Sequence, residues 1–289
     1  MDILISGASG FIGSNLAKFL CMHGDSVKAL STRDYELPDA GFAAKTAGAE
    51  VIINLSGAAV NARWSESYKK LIYSSRVDTT AKLVRVLKAS ARRPKLFINA
   101  SAVGIYTSGG SHDEYKFEYG GGFLASVCRD WEAEAMKACD AGVRTVIFRF
   151  GLVLDKKGGV LNKMLIPFSM GLGGKIGGGE QYMSWIALGD LLRAFRFVIS
   201  DEKLEGVFNL TSPAPVTNAE FTAELAAALN RPAFFRVPEF LLKLIFAGGA
   251  EIMCEGSAVY PKRLLDAGFQ FEYPRLKDAL LHIINGPVS

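Results

Sequence analysis

The chain has 289 residues, 49% of them hydrophobic and 21% charged, enough apolar material for a sizeable core and too little charge for a disordered polymer. Thirty-three Lys and Arg against 29 Asp and Glu leave a net charge of +4, too mild and too evenly spread for a nucleic-acid binder. Thirty glycines without a G-X-Y period argue against a fibre, and Cys21, Cys128, Cys139 and Cys254, far apart with no C-x-x-C pair, argue against zinc or a disulfide framework.

In chain order, residues 3–6 form a continuous apolar run, a buried strand, followed by helical spacing over 11–22. Strands are expected again at 26–30 and 51–55. A long helix is expected over 65–91, ended by Arg93-Pro94, then a strand at 95–100, a helix over 122–140 stopped by Gly142, and a strand at 143–150. Strands buried on both faces and separated by helices predict an α/β fold with a doubly wound parallel sheet. Beyond residue 155 the regularity weakens. Gly and Met crowd 156–179, which reads as a mobile or ligand-covering segment, and a strand at 207–210 with helices near 187–200, 217–229, 238–247 and 275–284 follows. The expected organisation is a dinucleotide-binding domain over 1–155 and a smaller α/β C-terminal lobe over 156–289, with elements crossing between them. Residues 240–247, the most apolar stretch, read as a core or subunit-contact helix rather than a membrane anchor. Met1 and Asp2 run directly into the first strand, so no signal peptide is expected, and no apolar window reaches a membrane span. A cytoplasmic protein follows as the expectation, with no membrane partner.

The chemistry starts at Gly7-Ala8-Ser9-Gly10-Phe11-Ile12-Gly13, a G-x-x-G-x-x-G sequence set between the first strand and its helix. Gly7 permits the tight turn, Gly10 lets the backbone reach a pyrophosphate, and Gly13 lets the helix pack against the strand. Helix-terminal N–H groups and the helix dipole then favour the anion. The second strand ends Leu30-Ser31-Thr32-Arg33-Asp34, hydroxyls followed by a guanidinium, where a site for NAD usually places a carboxylate. Arg33 suits a 2′-phosphate, with Ser31 and Thr32 as donors to it, so NADP(H) is expected in preference to NAD(H). Asp34 is the contrary feature, able to reach a ribose or to pair with Arg33.

With these residues in place, the chain resembles the extended, epimerase-like branch of the short-chain dehydrogenase/reductase superfamily, and within it the atypical YfcH-like epimerase family. The resemblance runs through Asn54-Leu55-Ser56-Gly57, Arg63-Trp64, Ser75-Arg76-Val77, the stretch from Ser101 to Tyr106, Cys128-Arg129-Asp130-Trp131-Glu132, Gly171-Leu172-Gly173-Gly174, Met183-Ser184-Trp185-Ile186, the stretch from Val216 to Phe221, and the segment from Pro261 to Phe269. It implies a Rossmann-type fold in which Leu55, Ser56 and Gly57 line the adenine-ribose side of the dinucleotide. Arg76 becomes a candidate cofactor contact, and the stretch Arg149-Phe150-Gly151-Leu152, after the last strand of the first domain, is expected to approach the nicotinamide. Gln181, Ser184 and Trp185 are similar to the segment facing the substrate cleft.

Members of that superfamily carry a Ser at a strand end and a Tyr-x-x-x-Lys pair on the next helix, where the lysine cation lowers the tyrosine pKa. Ser101 matches the serine. Leu124 and Cys128 stand where the tyrosine and lysine are expected; a leucine has no proton to exchange, and a neutral thiol gives no positive field. Tyr106 is the candidate substitute, ahead of Tyr115, Tyr119 and His112. Two readings follow: an NADP(H)-dependent oxidoreductase or epimerase-like enzyme on a small carbonyl, alcohol or sugar-nucleotide substrate, or a catalytically silent NADP(H)-binding regulatory or interaction protein. A homodimer is the fold-level expectation.

Overall fold

Parallel neighbours cannot be joined by hairpins, and the helical spacing between the apolar runs supplies the crossovers they need. In the computed structural model, which describes residues 1–60 and 62–286, six strands form one sheet: β1 Asp2–Ser6, β2 Ser26–Leu30, β3 Val51–Asn54, β4 Leu96–Ala102, β5 Arg144–Phe150 and β6 Gly206–Leu210. Their order is β6-β5-β4-β3-β1-β2, and every pairing is parallel. The expected parallel α/β sheet is therefore present. The order reverses between β1 and β3, and the crevice beyond the carboxyl ends of these two strands is where open α/β sheets bind ligands.

Alternation along the strands explains the two covering layers. Ile3 and Ile5 join Leu16, Leu20, Leu191 and Phe195 in one apolar cluster, under helices α1 (Phe11–Met22) and, later in the chain, Leu188–Ser200. Leu4 and Ile52 face the opposite way, against Phe42, Leu83 and Leu87, on α2 (Asp39–Thr46) and a helix spanning Val77–Ala89. Burying one such side chain stabilises by about 1.5–3 kcal/mol, so the sheet is held from both sides.

Two expectations change. The helix expected over 65–91 is two, α3 (Glu66–Ser74) and α4 (Val77–Ala89). At the junction Ser75 Oγ accepts the Ala58 N–H at 2.9 Å and the Arg76 guanidinium donates to the Ala58 carbonyl at 2.9 Å, so both side chains turn onto the loop after β3. After α5 (Phe123–Met136), the glycine-rich stretch 156–179 is ordered into α6 (Gly159–Ser169) and a strand Gly174–Ile176 paired with Phe235–Val237. Leu161 and Phe168, two helical turns apart, anchor α6 in a third cluster with Trp185, Phe221 and Leu280. With α7 (Leu188–Ser200) and α8 (Asn218–Ala228) placed, α9 spans Glu239–Phe246, and its Phe240 and Leu244 are 71% and 70% exposed. Among the described residues, no helix is long and apolar enough to cross a membrane.

Candidate functional site

The corner after β1 has no room for side chains. Gly7 has φ +82°, and a Cβ there would lie 2.7 Å from the Leu55 carbonyl oxygen. A Cβ on Gly13 would be driven into the Gly7 carbonyl oxygen and to 2.8 Å from Ala8 Cα. The Gly10 N–H donates to the Gly7 carbonyl at 3.0 Å and closes the turn. Gly10 also caps α1, with no side-chain cap and no acidic residue in the first turn, so the helix dipole stays uncompensated. Ser9 and Gly10 are exposed, while Phe11 and Ile12 are half-buried; a Cβ on Gly159 would lie 3.4 Å from the Phe11 ring. Glycines at 7 and 13 are thus required by backbone crowding, and the N–H groups they bring forward suit a diphosphate.

Ser6, at the end of β1, ties the corner to its neighbours. Its hydroxyl bonds the Tyr35 hydroxyl at 2.7 Å and the Ser56 hydroxyl, and burial pushes the Tyr35 pKa up. Sequence reasoning missed Tyr35; its position five residues past the end of β2 is the only local sign of it.

Beyond β2 the Ser31 side chain is engaged within its own turn. The Ser31 hydroxyl donates to Asp34 Oδ2 at 2.7 Å, and the Ser31 N–H donates to the same oxygen at 2.8 Å. Ser31 thereby caps the short 3-10 turn Thr32–Glu36, with its hydroxyl proton turned to the Asp34 carboxylate. The bonds from Ser31 hold the Asp34 carboxyl below its usual value, and Lys45 stands 3.5 Å away. Asp34 pairs with Ser31 and Lys45, not with Arg33. Thr32 and Arg33 are exposed, and Arg33 forms no ion pair among the described residues.

The wall after β3 is built from inside. A Cβ on Gly57 would lie 2.9 Å from Arg76 Cζ, so the glycine makes room for a guanidinium of this chain. Arg76 donates to the carbonyls of Ala58 and Ile72 at 2.9 and 3.2 Å and lies 5.4 Å from the Trp131 ring centre. It is neither a solvated helix charge nor free-standing: it fastens the Leu55–Ser56–Gly57 turn to the junction of α3 and α4.

At the end of β4 the geometry departs furthest from expectation. The Ser101 hydroxyl donates to Glu132 Oε1 at 2.6 Å. Arg149 grips the same carboxylate through Nε at 2.8 Å and Nη2 at 2.6 Å, and its Nη1 donates to the Tyr106 hydroxyl at 2.8 Å. Tyr106 donates onward to Asn209 Oδ1 at 2.7 Å, and the Asn209 N–H donates to Glu114 at 2.8 Å. Ser101, Arg149 and Asn209 are at most 2% exposed. Burial alone would pull the Arg149 pKa down, but the Glu132 carboxylate and Tyr106 leave it raised. Burial also pushes Tyr106 up to about 12, against the pull of Arg149. Tyr106 stacks on His112 with ring centres 5.1 Å apart. A phenol so placed, bonded on both sides, is a member of a buried network rather than an exposed proton donor. Tyr115 and Tyr119 are exposed.

Leu124, in the tyrosine position, packs in an apolar cluster with Trp64, Ile72 and Val127. Cys128, in the lysine position, is buried, and burial together with the nearby Glu132 carboxylate pushes its thiol up to about 11. It is therefore neutral at physiological pH. Glu132, Arg149 and Asn209 escaped sequence reasoning as a set, because their partners lie on different strands and helices.

In the second lobe Ser184 and Trp185 turn inward. Ser184 Oγ donates to the Ser257 carbonyl and accepts the Val259 N–H, both at 2.8 Å, and the Trp185 indole donates to the Ala214 carbonyl at 3.0 Å. Gln181 Nε2 donates to the Met253 carbonyl at 3.2 Å. These side chains, expected at the substrate cleft, hold the lobe together. Leu152 begins a short strand, Leu152–Asp155, parallel to Trp185–Ala187. Among the described residues no group of His, Cys, Asp and Glu could hold a metal ion.

Residues 3–211 match the NAD dependent epimerase/dehydratase family. The chain belongs to that family. Residues 237–283 match a domain of unknown function, DUF1731. Among curated relatives, epimerase family protein ML0860 of Mycobacterium leprae is 40% identical over 99% of this chain and 96% of its own. Epimerase family protein SDR39U1 of Mus musculus is 35% identical over 98% of this chain and all of its own. The SDR39U1 homologue of Arabidopsis thaliana, named as chloroplastic, is 36% identical over 98% of this chain and 87% of its own. The crystal structure of human SDR39U1 (isoform 2) with NADPH superposes with a TM-score of 0.92 at 32% identity, covering 99% of this chain and 100% of that one. UDP-glucuronic acid 4-epimerase of Bacillus cereus shares the fold, with a TM-score of 0.80 at 16% identity over 99% of this chain and 98% of its own.

Proposed function

We propose that this epimerase-family chain is an NADP(H)-dependent oxidoreductase or epimerase-like protein acting on a small carbonyl, alcohol or sugar-nucleotide substrate. The observation that carries the cofactor reading is Arg33, an unpaired guanidinium just past β2, beside a glycine corner that admits no side chain. The human relative solved with NADPH supports it. In this reading residues 1–155 hold the dinucleotide and 156–289 form the cap, with β6 crossing back into the sheet. Gly7, Gly10 and Gly13 bring N–H groups to the diphosphate, Thr32 and Arg33 take the 2′-phosphate, and Leu55, Ser56 and Gly57 form the adenine-side wall that Arg76 braces. The bound nicotinamide supplies or accepts a hydride. Ser101 keeps its proton turned toward Glu132, so at the end of β4 the chain offers no ready proton relay.

That last feature favours a second reading, in which the dinucleotide binds without turnover and the protein acts as a regulator or interaction partner. One experiment separates them. NADPH at micromolar concentration is expected to raise the melting temperature, and the absence of any response to NADPH or NADH would remove both readings. Oxidation of NADPH with any member of a broad carbonyl panel supports the enzyme; tight binding with no oxidation across the panel supports the silent protein. Arg33→Ala is expected to weaken NADPH about tenfold or more, the value of a charge-assisted phosphate contact, while NADH binding stays nearly unchanged. Equal losses for both dinucleotides would show that Arg33 does not read the phosphate.

A further inference from the structure

The cap carries an apolar surface that the dinucleotide reading does not use. Ile166, Met170 and Leu172, at and beyond the end of α6, are exposed, as are Phe234, Phe240 and Leu244, with Phe234 at 89%. The two stretches lie side by side. Arg231 Nε donates to the Ser169 carbonyl at 2.9 Å, Pro232 lies against Gly171, and Phe235 pairs with Gly174 in the short parallel ladder. Monomeric proteins rarely leave so many large apolar side chains together in water. The charges around them have one sign. Residues 159–177 and 231–240 carry Lys163, Lys175, Arg231 and Arg236 against one carboxylate, Glu239. Lys163, Lys175 and Arg236 are exposed and form no ion pair among the described residues.

We propose that this face docks on an anionic lipid bilayer surface, with the apolar tips entering the headgroup boundary and the basic side chains meeting lipid phosphates. Charge complementarity selects this occupant over a second copy of the chain. A two-fold contact would set the same cationic rim against itself, with almost no carboxylate to answer it. The apolar residues also come from separate elements, α6 and the turn after it, the segment before the strand Phe235–Val237, and α9, rather than from one continuous seam. The association is peripheral, because α9 has only eight residues and spans nothing.

The test uses the full-length chain and vesicle flotation. Wild type is expected to float with vesicles of phosphatidylcholine and phosphatidylglycerol at low salt, to remain below with phosphatidylcholine alone, and to be released as salt rises. Phe240→Ser with Leu244→Ser, and separately Lys163→Glu with Arg236→Glu, should each lower the bound fraction at least tenfold while the NADPH-induced melting shift stays as in wild type. That retained shift shows the variants are folded. Wild type that stays below the anionic vesicles overturns the proposal, including the case in which sedimentation velocity finds it paired as a dimer. Flotation that both double variants retain overturns it equally.

Discussion

Replacing Glu132 by alanine is expected to lower the unfolding free energy by about 3–5 kcal/mol, the usual loss when one partner of a buried ion pair is removed. The reason is what remains. Glu132 accepts from Ser101 and from two nitrogens of Arg149, and the pair is nearly closed to solvent, with side chains 10% and 3% exposed. Without the carboxylate, a guanidinium stays buried beside Tyr106 with no counter-charge, and the Ser101 hydroxyl loses its acceptor. Glu132→Gln retains the shape but not the charge and should fall between alanine and wild type. The double variant Glu132→Met with Arg149→Met should be more stable than Glu132→Ala alone, since it removes the orphaned charge together with its partner. Urea unfolding of the four proteins measures this. A single alanine variant within about 1 kcal/mol of wild type would mean that water reaches Arg149 and that the network is not closed.

The second large effect is expected at Gly13. Its Cβ would collide with the Gly7 carbonyl and Ala8, atoms of the main chain that cannot rotate away. Gly13→Ala must therefore push α1 off β1, at a cost of about 1–3 kcal/mol for overpacking. The displaced helix end no longer presents its N–H groups to the turn, so NADPH affinity should drop at least tenfold, well beyond the loss of stability. Gly189→Ala is the matched control. It lies in α7 with open space around its Cβ position, and the better helix former should leave stability unchanged or slightly raised. Thermal melts with and without NADPH distinguish the two. A Gly13→Ala protein that binds NADPH like wild type would remove the glycine corner from the binding site.

Legibility in the amino-acid sequence followed range. The six sheet strands were visible because runs such as 3–6 and 143–150 are apolar on both faces, a local property. The glycine corner was visible because its cause, crowding between Gly7 and Gly13, lies within seven residues. The break at Ser75–Arg76 was hidden because both side chains answer to Ala58, on a loop 17 and 18 residues earlier. The network at the end of β4 was harder still. Its bonds join residues 17 to 103 positions apart, on β4, α5, β5 and β6, and no spacing rule connects them. The partners of Ser184 and Trp185 were hidden for a related reason: an apolar strand with a serine looks the same whether its polar atoms face a cleft or a buried carbonyl, and here they bond Ser257, Val259 and Ala214. The same limit applied at Asp34, read as able to reach a ribose or to pair with Arg33, which accepts instead from Ser31 within a turn.

The sheet is completed out of turn. Its last strand, β6, is translated only after the chain has left the sheet at Phe150, built α6 and the short cap strands, and returned through α7. A nascent chain on the ribosome therefore exposes the β5 edge, Val146 to Phe150, for more than fifty residues of synthesis before Gly206–Leu210 arrives to close it. Open parallel edges of this kind recruit foreign strands, and a fragment stopped near residue 155 is committed to that hazard. Closure of the β5 edge is thus the step of sheet assembly that waits on the late part of the chain.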